Sequence, residues 1–199
     1  FPIPEVIREI NTYYLGAKKV NPKVDIDIVW VNSWYNPPKE ADAAAVMIAE
    51  GCDMVAQHTD SPAPLQTAQK NGVTGFGQAS DQIRFAPKAQ LTATIDNWSP
   101  YYIKKVQAVI DGNWKTGDYF GHMKDDAVQM APFTNMPVDV QAFAQKIKEG
   151  IRDGNYFAFT GPIKDNTGKL QLKDGEVATD AHLNSMMYYV EGIDATVPK

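Results

Sequence analysis

The chain has 199 residues, 44% of them hydrophobic and 22% charged, which is the composition of a globular protein and not of a disordered or fibrous one. A net charge of -5 gives no electrostatic basis for binding nucleic acid, and no run approaches the ~18 apolar residues that cross a bilayer as a helix. The lone cysteine, Cys52, excludes an internal disulfide and reads as a small buried hydrophobe in the turn after a helix. The length suits one domain or two small lobes with a real core.

Phe1-Pro2-Ile3-Pro4 lacks the basic and apolar regions of a secretory signal. A helix beginning at residue 2 reads as the continuation of a longer protein. Residues 2–18 open with prolines suited to a first helical turn, and Ile3, Ile7, Ile10 and Tyr14 fall on one face. Residues 25–32 alternate and are β-branched, which predicts a strand. The loop Ser33 to Pro38 follows, then a helix over 39–51 ending at Gly51. The rhythm repeats: strand 53–57, loop 58–62, helix 63–70, strand 73–77, loop 78–87 and strand 90–95. Strands alternating with helices predict a parallel sheet flanked by helices, an α/β fold.

After Asn97 the pattern changes. A helix is expected over 99–111, with Ile103, Val106, Val109 and Ile110 on one side. Residues 112–125 are rich in Gly and aromatics, with Trp114 expected to pack between lobes. A strand over 126–131 and a helix over 138–152 follow. Strands are expected at 156–162 and around the turn Asp165 to Gly168, and a helix over 180–189.

The chemically rich loops follow the strands of the first half, where ligands bind in open parallel sheets. The phosphate-cradling glycine motifs and the G-x-S-x-G nucleophile elbow are absent from the sequence. His58, His122 and His182 lie far apart without a second ligand at metal spacing, so no metal or other cofactor is expected. His58-Thr59-Asp60-Ser61-Pro62 admits three readings: a cap on the next helix, hydrogen bonds to a ligand, or catalysis with His58 as base and Asp60 or Ser61 as partner. Trp34 and Trp98 follow strands, where each is either core or a platform for a flat ligand, whereas Trp30 lies within a strand and reads as core. Asp81, after Gln78, is a turn residue or an acceptor for ring N–H groups, and Asp96-Asn97 offers an acceptor and an amide suited to a purine edge. Asp125-Asp126 reads as a solvated turn.

Several segments resemble the basic membrane protein family, the solute-binding lipoproteins of bacterial ABC importers that include purine-nucleoside binders. They are Phe1 to Arg8, Val29-Trp30-Val31-Asn32-Ser33-Trp34, Gln57 to Pro62, Leu91-Thr92-Ala93-Thr94, Asn97 to Tyr102, Val106 to Trp114 and Phe159-Thr160-Gly161-Pro162-Ile163. The resemblance implies a type I periplasmic-binding-protein fold, two α/β lobes closing around one ligand. Residues 1–95 would be mostly the carboxy-terminal lobe and residues 96–199 crossover segments and carboxy-terminal elements, with most of the amino-terminal lobe absent. It places Trp34 at the base-stacking aromatic, and Gln78 or Asp81 at a ribose-contacting carboxylate. Asp96-Asn97-Trp98 stands where nucleoside binders carry a lysine, which suits a purine nucleobase such as adenine, with a nucleoside as the other choice. The expected ligand contacts are Phe1, Trp34, His58, Thr59, Asp60, Gln78, Asp81, Asn97 and Trp98. The implied protein is not an enzyme; it hands its ligand to an ABC permease, lies in the periplasm or at the cell surface, and carries a lipid anchor in its full-length precursor. Half a cleft would expose apolar surface and invite self-association. Two other readings stand beside this one: a ligand-sensing domain of a regulator or receptor, and an enzyme using His58 and Asp60.

Overall fold

The computed structural model describes residues 1–198, which divide into two compact units. One unit is formed by Phe1–Ser33 together with the chain from Phe157 onward; the other is Trp34–Tyr156.

In the first unit, helix α1 (Pro4–Val20) starts on a proline at its first position and turns Ile7, Asn11 and Tyr14 into the core at helical spacing. There they meet Phe159, Ile163, Leu172, Met186, Tyr189, Val190 and Ile193. Asn11 is fully buried and holds a distant stretch of chain: its Nδ2 donates to the Tyr188 carbonyl at 2.8 Å, and its Oδ1 accepts the Val190 N–H at 3.0 Å.

The expected strand at 25–32 joins no ladder. Trp30 packs against the core as expected. Val24, Ile26, Ile28 and Trp30 are half-buried against the core while the residues between them are exposed, the period of an extended chain. It is extended backbone whose side chains are packed but whose peptide groups have no neighbouring strand. The stretch expected as a strand at 156–162 makes only one isolated bridge, Thr160 to Val177. The helix expected over 180–189 is α6 (Asp180–Asn184) and no longer, because Tyr189 and Val190 give their backbone to Asn166 and Asn11.

Strands β5 (Ile163–Lys164) and β6 (Leu170–Leu172) form an antiparallel hairpin around the expected turn. Its carboxylate is Asp165, which accepts from the Thr167 hydroxyl at 2.6 Å and amide at 2.9 Å, the Lys169 amide at 3.1 Å and Gln171 Nε2 at 2.7 Å. The Thr167 hydroxyl bond leads, with Gln171 and the two amides adding to it against the cost of burial, and they hold the carboxyl at about 2.

The second unit carries the sheet. Its elements are α2 (Pro37–Ala49), β1 (Met54–Val55), α3 (Ala63–Lys70), β2 (Thr74–Gly77), β3 (Gln90–Asp96), α4 (Ser99–Ile110), a 3-10 turn at Met123–Asp125, β4 (Val128–Met130) and α5 (Val138–Arg152). The strand order is β1-β2-β3-β4. The first three run parallel, as the α/β reading requires, and β4 returns antiparallel beside β3, pairing Thr94 with Met130. The core is small and alanine-rich: Ala44, Val55, Leu65, Ala68, Ala86 and Ala89. Small residues let α2 and α3 lie close. On β2 the glycines serve the same end, since a Cβ at Gly75 would lie 2.6 Å from the Val55 carbonyl and one at Gly77 2.9 Å from Gln90 Oε1.

The apolar side of α4 exists as expected but is uncovered, with Ile103 69% and Ile110 72% exposed. Trp114, expected to pack between lobes, is 53% exposed, and Cys52 is half-buried instead of buried. Among the described residues no helix is long and apolar enough to cross a membrane.

Two expected outcomes follow from the first unit. Asn11→Leu keeps the volume but orphans the Tyr188 carbonyl and the Val190 amide, and should lower stability by about 2–4 kcal/mol, read as a lower urea midpoint; an unchanged midpoint would show that the clamp is dispensable. Because the folded pKa of Asp165 lies below the ordinary carboxylate value of about 3.9, its contribution is present above about pH 4 and lost as pH falls through about 2. Urea titrations of the parent and Asp165→Asn should therefore differ at pH 5 and converge toward about pH 2; a gap independent of pH would contradict the assignment.

Candidate functional site

Parallel β1, β2 and β3 deliver the segments that follow them to one edge of the sheet. Those segments contain His58 to Ser61, Gln78 to Asp81 and Asn97-Trp98. Trp34 joins the first of them, in the turn before α2.

Trp34 is 37% exposed, and its ring centroid lies 6.1 Å from that of His58, tilted by 57°. The backbone ties the same two loops, for the Asp60 N–H donates to the Trp34 carbonyl at 2.8 Å. Underneath them lies Glu40 of α2, only 1% exposed. Its Oε1 accepts the Asn36 N–H at 2.6 Å and its Oε2 accepts the Ser61 hydroxyl. Asn36 caps α2 by accepting the Lys39 N–H. Ser61 also accepts the Ala63 N–H at 3.2 Å, but the cap position of α3 is Pro62 and carries no side-chain cap, so neither Asp60 nor Ser61 caps the helix as expected. A fully buried hydroxyl engaged on both sides cannot act as a nucleophile toward a ligand, which removes Ser61 from the catalytic reading.

A chain of amides joins the first two loops and the start of β3 from within. The Thr59 hydroxyl donates to Gln57 Oε1 at 3.1 Å, and Gln57 Nε2 donates to Gln82 Oε1 at 3.0 Å. Gln82 Nε2 reaches the Gln78 carbonyl at 3.3 Å, and the Gln82 N–H donates to Gln90 Oε1 at 3.0 Å. Gln90 Nε2 ends on Asp81 Oδ1 at 2.7 Å. Gln57, Gln82 and Gln90 are buried, so each bond is made in place of water. Of the two residues left open for a ribose contact, Asp81 is exposed and uses Oδ1 for Gln90 and the Ile83 amide. Gln78 is half-buried and accepts the Thr94 hydroxyl at 3.0 Å. Between them Ala79 takes a φ of +59°, a left-handed conformation that costs a non-glycine residue about 1 kcal/mol, and its carbonyl accepts the Asp96 N–H.

On the third segment, Asn97 Nδ2 donates to the Asp126 carbonyl at 2.9 Å and to Asp126 Oδ2 at 3.0 Å, which leaves Oδ1 as the acceptor it can offer a ligand. Asp126 is thus a turn residue with a second task. Trp98 is 49% exposed and belongs to a group of rings, stacked with Tyr102 at 5.9 Å and edge-on to Tyr101 at 5.8 Å. Phe1 lies in the first unit and is exposed. Among the described residues no cluster of His, Cys, Asp or Glu could hold a metal ion.

The arrangement offers aromatic faces, amide and carboxylate acceptors and a histidine on a preset polar bed. Glu40, Gln57, Gln82 and Gln90 went unread in the sequence. The nearest signal was Glu40 four residues after Asn36, at the start of a proline-led helix.

The family described as ABC transporter substrate-binding protein, PnrA-like, matches residues 1–161. The chain belongs to this family. The resemblance read from the sequence and the α/β expectation both stand, and the family is one of substrate-binding proteins. Over its full length the chain is 50% identical, across 198 residues, to a purine-binding protein of Brucella abortus (strain 2308), covering 57% of that protein. It is also 30% identical over 199 residues to a protein of Haloferax volcanii named for glucose binding in ABC transport, covering 48% of it. The chain thus spans about half the length of the curated relatives it matches. A solute-binding protein of an ABC transporter system from Conexibacter woesei superposes with a TM-score of 0.60 at 19% identity, covering 77% of this chain and 53% of that one, which shows a shared fold.

Gln82→Leu should break the amide chain at its centre, leave Gln57 and Gln90 partly unpaired, and cost about 1–3 kcal/mol in thermal or urea unfolding. A variant as stable as the parent would mean that the chain adds nothing to the fold.

Proposed function

We propose that this chain is part of a solute-binding protein that captures a purine nucleobase of the adenine type and delivers it to an ABC permease. The observation that carries the reading is the 50% identity, over the whole chain, to a purine-binding relative. The site chemistry agrees with it. Trp34 offers a ring face for stacking, His58 and Thr59 lie beside it, and Asp60, Asp81 and Asn97 Oδ1 are acceptors for ring and amino N–H groups. Asp96-Asn97-Trp98 lacks the cation that would favour a ribose-bearing ligand, which supports a bare base over a nucleoside. A protein of this kind works outside the cytoplasmic membrane, held there by a lipid anchor. The exposed apolar side of α4 supports its assignment as a segment that packs against the other lobe. Capture in a closing cleft requires tighter binding to the closed state than to the open one.

The direct test is to denature full-length protein purified from its own cell envelope and identify the released small molecule by mass spectrometry. Adenine or a close purine is expected; a sugar, the ligand named for the Haloferax relative, would overturn the reading. In calorimetry on the full-length protein, Trp34→Ala should weaken adenine binding about tenfold, the loss of a stacking face worth ~0.5–1.5 kcal/mol plus its buried area. Unchanged affinity would remove Trp34 from the site.

A further inference from the structure

We propose that Glu40 is a positioning residue for the ligand site: its buried carboxylate clasps the Trp34 turn to the His58–Ser61 loop and so sets the ring face of Trp34. The inference rests on the purine reading above and adds a residue that touches no ligand. Glu40 sits in the first turn and a half of α2, with its side chain sealed from solvent. Its two oxygens do different work. Oε1 takes the backbone of Asn36, two residues after Trp34, and Oε2 takes the hydroxyl of Ser61, three residues after His58. The direct backbone bond from Asp60 to Trp34 fixes the spacing of the two loops at one point, and the carboxylate supplies a second point beneath it. Two points of attachment fix an orientation where one leaves a hinge. The ring centroid of Trp34 lies 6.1 Å from that of His58.

A carboxylate is suited to the task because both partners are donors. An amide in its place must present one N–H face to a donor, unless the Ser61 hydroxyl reverses its role, which a rotating hydroxyl can do. An aliphatic side chain would leave the Asn36 amide to water and strand the buried Ser61 hydroxyl.

The test uses full-length protein with fluorotryptophan labelling, adenine calorimetry and fluorine NMR. Ser61→Ala and Glu40→Leu should each lower adenine affinity about tenfold and shift or broaden the Trp34 resonance while leaving those of Trp98 and Trp114 in place. Glu40→Gln should restore affinity to within about threefold of the parent. Thr92→Val, which removes a buried hydroxyl bond to the Ala131 carbonyl on β3, serves as the control for general destabilisation and should leave both readouts near the parent. Should Glu40→Leu fail to fold, Ser61→Ala carries the test. An unmoved Trp34 resonance in Ser61→Ala, affinity within about twofold of the parent, or an equal loss in Thr92→Val would overturn the proposal. If the parent itself binds no adenine, the purine reading fails, and the Trp34 resonance alone decides the role of Glu40.

Discussion

The parallel pairing of β1, β2 and β3 is the constraint from which the rest of the site follows. Parallel neighbours end on the same side, so three loops separated by about twenty residues each in the chain arrive side by side without any further device. The pairing is short, only two residues at β1, and tolerates no bulk between strands: Gly75 and Gly77 leave room for a carbonyl and for the side chain of Gln90. What looks like a sparse pair of glycines in a strand is the space through which the polar bed of the site is built.

That bed divides the polar residues of the loops into two kinds. Gln57, Gln82 and Gln90 face inward and satisfy one another, so the loops are held by bonds that water does not weaken. Asp60, Asp81 and the carbonyl of Asn97 retain acceptor capacity toward the outside. Glu40 does for the Trp34 turn what the glutamines do for the other loops. Loops held this way have little conformational entropy left to lose on binding.

Much of the architecture could be read from the chain. The helices over 63–70 and 138–152 have the bounds that their periodicity implied, because each is closed by local signals. The placement of the loops at the strand ends also held. Residues 25–32 show where such reading stops: alternation reports which side chains are packed, and it cannot report whether a partner strand lies alongside. The antiparallel return of β4 and the early end of α6 depend on partners far away in the chain. The polar bed was hidden for a related reason. Gln57, Gln82 and Gln90 are each unremarkable in sequence, and their meaning comes from contacts across 25 and 8 residues.

The Asn11 clamp has a consequence for how the protein is made. It joins positions 177 and 179 residues apart, and among the described residues every fully buried core partner of α1 lies beyond Phe157, with only the half-buried Val24, Ile26, Ile28 and Trp30 nearer in the chain. The first unit therefore cannot close until the last forty or so residues of the chain exist, whereas the sheet of the second unit has all its strands in hand well before then. During synthesis the amphipathic α1 must wait with its apolar face unburied while the intervening unit folds. Helix α1 thus stays open to chaperones and proteases until those residues emerge, although in the folded unit it is among the best packed.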